Sequence, residues 1–385
     1  MSNKKHILSL SVSRSDLGRM APLYKLLDND ESIDLSLVSA GAHGMKCFGD
    51  SRQYFTDLEL NVSYSFAHED EENPAEISFA IMHAIYDLLK EKSVDYLLIL
   101  GDRFEMLAAA QAALLAGVPI LHVGGGHLTA GAIDEQCRHA ITKLANRHYV
   151  ASSEHLKRLR QMGENNESVV LTGAPDIDAL LAVDKIDREG LFNDLGLDPK
   201  RNFTLVTIHP ETHSQRVDYR SCFEFLKELK QQVLITAPCQ DEGSQEIFEL
   251  IDEFKRENPE QFIYHAQLGQ KRYVNAMRHC EFMLGNSSSG IIESASIPVR
   301  VINVGSRQQG RQRAGNVIDS SWGKTEMKQA YDLTIYDDKV FAMSNPYGDG
   351  QACEKIYQDI KTLPKKMNTA KTFISIPVDS PREEW

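Results

Sequence analysis

The sequence predicts an α/β protein made of two Rossmann-like, doubly wound parallel-sheet domains. Three observations lead there. Short apolar, β-rich runs alternate with helical patterns, and strands with no polar face belong to parallel sheets covered on both sides. The alternation stops at a charged stretch containing Gly and Pro, "LLAVDKIDREGLFNDLGLDPKRN", and then restarts. The length of 385 residues suits about two domains. We place an N-terminal domain at 1–182, a C-terminal domain at 183–364 and a loosely ordered tail at 365–385.

The elements follow in order. "HILSLSV" (6–12) opens as a strand and "SIDLSLVSA" (32–40) is the next. "AEISFAIMHAIYDLLKEKS" (75–93) has the spacing of an amphipathic helix. "DYLLILG" (95–101), "PILHVG" (119–124), "RHYVAS" (147–152) and "SVVLTG" (168–173) read as strands, with helices over 104–117 and 134–146 between them. In the second half, strands fall at 202–210, 231–238, 261–267, 281–287 and 299–305. Two such sheets in one chain imply an interdomain cleft, with ligands beyond the carboxyl ends of the strands.

Composition narrows the class. Apolar residues make up 42% and charged residues 25%, as in ordinary globular proteins. A net charge of −13 argues against nucleic-acid or anionic-membrane partners, although a local Arg and His cluster can still bind an anion. Six scattered cysteines without a CxxC pair point away from zinc and toward a reducing compartment. The first strand is too short and alternating for a signal sequence, and no run nears the ~18 apolar residues of a membrane span. The expected location is cytoplasmic.

The unusual residues sit at strand ends. The first strand is followed by "SRSDLGR", carrying Arg14, Asp16 and Arg19. The run "YLLIL" delivers Asp102 and Arg103; a carboxylate directly after a buried strand needs a partner or a task. An Asp102–Arg103 surface pair is the bland alternative. "HVGGGHLTAGAIDE" (122–135) holds three glycines, then His127, Asp134 and Glu135. Glycine runs make sense where something approaches the backbone closely. Arg138 lies four residues after Asp134, so it forms either an i,i+4 pair or an Asp/Arg pair aimed into the cleft. His209 ends a strand and precedes Pro210. "GNSSSGIIES" passes from strand to helix start, where N–H groups and the hydroxyls of Ser287 and Ser288 suit phosphate, and Glu293 suits a ribose diol. Simple helix capping by those serines is the alternative. Arg307, Arg311 and Arg313 follow the next strand among glycines, as a phosphate clamp or a solvated loop.

Taken together, "SRSDLGRMAPL", "GDRFEMLAAAQAAL", "GAIDEQCRHAITKLANRHYVAS", "LTGAPDID", "GNSSSGIIE" and "GSRQQGR" resemble the hydrolysing UDP-N-acetylglucosamine 2-epimerases of sialic-acid biosynthesis and the wider 2-epimerase group, over about residues 6–320. The resemblance implies a glycosyltransferase-B-like fold, with nucleotide on the C-terminal domain and sugar on the N-terminal one. It implies anti elimination of UDP across C1 and C2, then hydration of the 2-acetamidoglycal to free N-acetylmannosamine. No cofactor and no metal is implied; the partner is a UDP-amino-sugar, and the assembly a homo-dimer or homo-tetramer. By position, Asp102 and Asp134 are the acid–base carboxylates. Arg14, Arg103, Arg138 and His209 bind diphosphate or order the cleft, with Asp16 beside them. Ser287, Ser288 and Gly290 belong to the phosphate turn, Glu293 to the ribose, and Arg307 to the phosphate or sugar side. Two departures stand out: Gly124 and His127 occupy places where the family commonly carries glutamate, and Cys239 stands where it has Asn. Either His127 takes over proton transfer, or the aspartates suffice, or the glycines admit a bulkier sugar such as a 4-acetamido-6-deoxy substrate. Non-hydrolysing epimerase, glycosyltransferase and nucleotide-sugar sensor are the competing readings.

Overall fold

A computed structural model describes residues 4–45, 52–67, 73–129, 133–211, 217–238, 243–336 and 344–375. The chain divides into two units, one of Met1–Ala179 with Tyr347–Trp385, the other of Leu180–Pro346.

The first unit runs β1 (Lys5–Ser11), α1 (Arg14–Asp28), β2 (Ile33–Ser39), α2 (Arg52–Asp57), β3 (Tyr64–Ser65), α3 (Pro74–Glu91), β4 (Tyr96–Leu100), α4 (Phe104–Ala116), β5 (Ile120–Val123), α5 (Ile133–Leu144), β6 (Arg147–Val150), α6 (Ser153–Gln161), β7 (Val169–Leu171) and α7 (Pro175–Leu181). Its seven strands are all parallel, in the order β3-β2-β1-β4-β5-β6-β7. The apolar runs explain this. β4 is "YLLIL" with every residue buried, Leu97 and Ile99 in one core cluster and Tyr96 and Leu98 in the other. A strand clothed on both faces needs helices on both, which crossover connections between parallel strands supply. Local signals set the helix ends: Asn73 and Glu76 form a capping box on α3 with Pro74 at its start, and Gly117 closes α4 in the left-handed region.

The second unit runs α8 (Arg188–Leu195), β8 (Phe203–Thr207), α9 (Tyr219–Glu228), β9 (Gln232–Thr236), α10 (Ser244–Glu257), β10 (Phe262–His265), α11 (Gly269–His279), β11 (Phe282–Gly285), α12 (Ser289–Ile292), β12 (Arg300–Val304), β13 (Val317–Ser320) and α13 (Lys324–Tyr336). Its six parallel strands are ordered β10-β9-β8-β11-β12-β13, again with a core cluster on each face.

Two expectations change. Residues 347–364, expected in the C-terminal domain, return to the first unit, where α14 (Ala352–Thr362) packs on α1. Polar groups of the first unit hold it at several points. Asp178 accepts from the N–H groups of Ala352 (3.0 Å) and Cys353 (2.8 Å), capping the helix start. Asp359 accepts from Arg147 Nε (2.9 Å) and Tyr149 (2.9 Å). Lys5 Nζ donates to the carbonyls of Ile360 (2.5 Å) and Lys361 (3.2 Å) at the helix end. The segment after it, expected to be loose, is bonded through residue 374. Asn146 donates to Thr369 O (3.1 Å), Lys371 pairs with buried Glu164 (2.7 Å), and Ile374 N donates to Gly163 O (3.0 Å).

Each sheet has one switch point where the strand order reverses, between β1 and β4 in the first and between β8 and β11 in the second. Ligands of such sheets gather outside the carboxyl ends at the switch.

Candidate functional site

In the first unit, Asp16, Asp102 and Arg103 stand just beyond β1 and β4. Ser13 caps α1, and Asp16, in the first helical turn, is 6% exposed with Oδ2 unpartnered. Burial pushes its carboxyl above the ordinary range, against the pull of Arg19 and Arg103. Arg103 forks onto Glu105, with Nη2 2.7 Å from Oε1 and Nε 3.1 Å from Oε2. Glu105 is 1% exposed and was not among the expected site residues.

Arg138, the largest buried polar side chain, is the hub. Its guanidinium donates to Asp102 Oδ2, to Thr129 Oγ1 (2.9 Å), to the His127 carbonyl (2.9 Å) and to Glu135 Oε2 (3.1 Å). Both bland pairings are displaced: Arg103 takes Glu105 rather than Asp102, and Arg138 takes Asp102 and Glu135. Asp134, partly buried at the start of α5, has its pKa raised by burial and by the charge of Asp102. A carboxyl whose proton affinity is raised in this way is suited to give a proton as a general acid. Arg14 begins α1 with its side chain exposed.

The glycine run has three separate causes. Gly124 and Gly126 have φ of +86° and +85°, which favours glycine. A Cβ on Gly126 would lie 2.8 Å from the His155 carbonyl oxygen. One on Gly125 would lie 3.2 Å from Thr142 Oγ1 and 3.3 Å from His122 Nδ1. Only at Gly124 is the space open, with nothing nearer than 3.8 Å. The His127 ring lies on His155 (centroids 3.9 Å apart) and parallel to Tyr347 (6.2 Å).

In the second unit, a pocket of about 480 Å³ opens at the β8/β11 switch, lined by Thr207, His209, Tyr273, Ser287, Ser289 and Glu293 among others. Gly285 permits the close approach of the two strand ends: a Cβ there would sit 1.9 Å from Thr207 O. Buried Asn286 clasps the backbone of His209, accepting from its N–H (2.7 Å) and donating to its carbonyl (2.8 Å). Tyr273 OH meets Ser289 Oγ at 2.6 Å. The helix expected after "NSSS" is a single turn followed by a 3-10 turn, and Ser288 makes no side-chain cap. Buried Gly290 packs against Val301, which a Cβ would approach to 3.1 Å. Arg307 is exposed, its N–H donating to Glu211 (3.3 Å). Ser287, Glu293 and His209 thus meet at one pocket, whereas Ser288, Gly290 and Arg307 are not among its lining residues. Asn286, Tyr273 and Glu105 were missed. The Asn in "GNSS" was a visible signal, whereas Tyr273 carried none. Cys47 and Cys239 lie outside the described residues; the described cysteines are unpaired. Among the described residues no group of His, Cys, Asp and Glu could hold a metal ion, and no helix is long and apolar enough to cross a membrane.

Comparison with known proteins agrees with this architecture. The family model described as UDP-N-acetylglucosamine 2-epimerase matches residues 25–361. A hydrolysing UDP-N,N'-diacetylbacillosamine 2-epimerase of Legionella pneumophila is 32% identical over 94% of this chain and 96% of its own. The polysialic acid biosynthesis protein P7 of Escherichia coli is 29% identical over 97% of this chain and 98% of its own. Among solved structures, a co-structure of S. aureus MnaA with UDP matches with a TM-score of 0.75 at 22% identity, covering 93% of this chain and 96% of that one. UDP-GlcNAc 2-epimerase from Neisseria meningitidis, bound to UDP-GlcNAc, matches at 0.74 and 18%, covering 93% and 100%. The fold is the two-domain, glycosyltransferase-B-like one of these epimerases, and the chain belongs to the UDP-N-acetylglucosamine 2-epimerase family.

Proposed function

We propose that the protein is a hydrolysing 2-epimerase acting on a UDP-2,4-diacetamido-2,4,6-trideoxyhexose of the diacetylbacillosamine type. The second unit's pocket takes UDP, with Ser287 and Ser289 toward phosphate and Glu293 toward the ribose diol. In the first unit, Asp102 abstracts the C2 proton as the C1–O bond breaks and UDP departs with the bonding pair. Water then adds its hydroxyl at C1 of the glycal while Asp134 delivers a proton to C2; the water's remaining proton restores Asp134, and Asp102 gives up its proton to solvent. Arg14, Arg103, Arg138, His209 and Arg307 offset or order the diphosphate charge. The observation that carries this reading is the carboxyl pair: Asp102 fastened to Arg138, and Asp134 raised above the ordinary carboxyl range by burial and that neighbour.

The substrate choice draws support from the Legionella relative's printed activity. It also draws support from the strand ends beside Asp102, where no atom comes nearer than 3.8 Å to a Cβ placed on Gly101 or Gly124, an opening of the kind a C4 substituent would use. UDP-GlcNAc is the second reading, favoured by a 29%-identical relative from Neisseria meningitidis described as UDP-N-acetylglucosamine 2-epimerase. Incubation of the protein with each UDP-sugar in deuterated water, followed by NMR, decides between them. The expected result is UDP and a free 2,4-diacetamido mannose-type sugar with deuterium at C2. Release of a UDP-linked epimer would overturn the hydrolysing step, and faster turnover of UDP-GlcNAc would overturn the substrate.

A further inference from the structure

His122, the polar residue of the apolar strand β5, is 0% exposed. Its Nε2 lies 2.8 Å from the carbonyl oxygen of Gly101. A carbonyl only accepts, so Nε2 carries the hydrogen and Nδ1 presents a lone pair. Nδ1 and Thr142 Oγ1 are both buried and unpartnered, and both border the spot over Gly125, 3.3 Å and 3.2 Å from where a Cβ would stand. An acceptor and a hydroxyl thus both border the space over Gly125, where a Cβ would be tightly placed.

The neighbourhood gives this imidazole a purpose. Gly101 N donates to Val123 O (2.8 Å), so His122 holds the remaining polar atom of that residue. Asp102 is the next residue. Thr142 sits one helical turn after Arg138 on the same buried face of α5, and Arg138 grips Asp102. The end of β4 is thus gripped twice from the same side, once through the Asp102 carboxylate and once through the Gly101 carbonyl. We infer that His122, held in its Nε2–H form by the Gly101 carbonyl, is a positioning residue that fixes the peptide before Asp102 and so aims its carboxylate. Burial lowers the imidazole's pKa to about 3, so the ring stays neutral wherever the protein works.

The inference rests on the proposed role of Asp102, and the test keeps the two apart. With UDP-diacetylbacillosamine as substrate, His122→Leu should lower kcat about 30- to 100-fold with KM nearly unchanged, the size expected when an acid–base group is misaimed. His122→Gln, whose amide can donate to the Gly101 carbonyl, should recover most of that loss. In an Asp102→Asn background His122→Leu should add almost nothing, because both changes act through one carboxylate. Independently of turnover, nitrogen NMR of histidine- and arginine-labelled protein should show His122 as the Nε2–H tautomer. The Arg138 guanidinium protons should be slowly exchanging in wild type and in His122→Gln, but not in His122→Leu. If the other tautomer is found, if His122→Gln matches His122→Leu, or if the Asp102→Asn and His122→Leu losses simply multiply, the positioning role is wrong. An inactive wild type with the expected tautomer and guanidinium signals would sink the substrate reading and leave the positioning intact.

Discussion

Replacing Arg138 by methionine tests the organisation of the first unit most directly. The side chain is 2% exposed and donates to four oxygens, two of them on the carboxylates of Asp102 and Glu135. Methionine fills the volume and removes every donor. Breaking a buried ion pair by deleting one partner costs about 3–5 kcal/mol. Here the stranded carboxylates keep 31% and 24% exposure, so water recovers part of the loss and about 2–3 kcal/mol remains. For a unit of roughly 200 residues this lowers the melting temperature by about 5–10 °C. Differential scanning calorimetry of the full chain reads the shift, and UDP release in the same samples should fall at least about 100-fold. Arg138→Lys should lie close to methionine in activity, because one ammonium cannot span four acceptors held in a fork. If Arg138→Met melted within about 1 °C of wild type, the guanidinium would not be the hub and the assignment of Asp102 would lose its support.

Asp16→Asn should stabilise the protein near neutral pH, since the native carboxyl is buried with an unpartnered oxygen and its pKa is raised. A raised carboxyl pKa favours the folded state while protonated, so the gain should vanish as pH falls toward the ordinary value of 3.8, read as converging melting curves. Glu164 behaves oppositely. Burial opposes its ionisation, but bonds from His148, Lys143 and Lys371 outweigh that and hold its pKa at about 2. Its contribution should be complete above 4.5 and disappear as pH drops toward 2; Glu164→Gln should flatten that acid limb, and Lys371→Met should weaken it. Gly126→Ala should cost about 3 kcal/mol in urea unfolding, combining left-handed strain with a 2.8 Å clash, while Gly124→Ala costs only the strain of about 1 kcal/mol. Gly124→Ala should also move preference toward UDP-GlcNAc; unchanged preference would remove the open floor as a cause of specificity.

Much of the fold could be read from periodicity. The core strands fall within three residues of their expected bounds because each is a short apolar run between turn residues. β13 escaped because "VIDS" is a short, half-exposed edge strand with no apolar run. The amphipathic face of α14 announced a buried surface but not which unit would bury it; that depends on Lys5, Asp30 and Asp178, far away in the sequence. Local rules failed similarly at Arg138. Helical spacing offered Asp134 one turn away, and the structure pairs it with Asp102, 36 residues earlier. Glu105 resembled an ordinary polar helix residue until folding buried it beneath Arg103. The glycine run correctly signalled close approach, but most of what approaches is the protein itself, at His155, His122 and Thr142.

The return of α14 to the first unit has a consequence for biosynthesis. The second unit is one uninterrupted stretch of chain, complete as soon as residue 346 has left the ribosome. The first lacks its closing helix until residue 362 has been made, with Asp178, Lys5 and Arg147 waiting for their partners meanwhile. The half begun first is therefore finished last, and a nascent chain halted before residue 352 exposes the apolar face of α1 that the helix later covers.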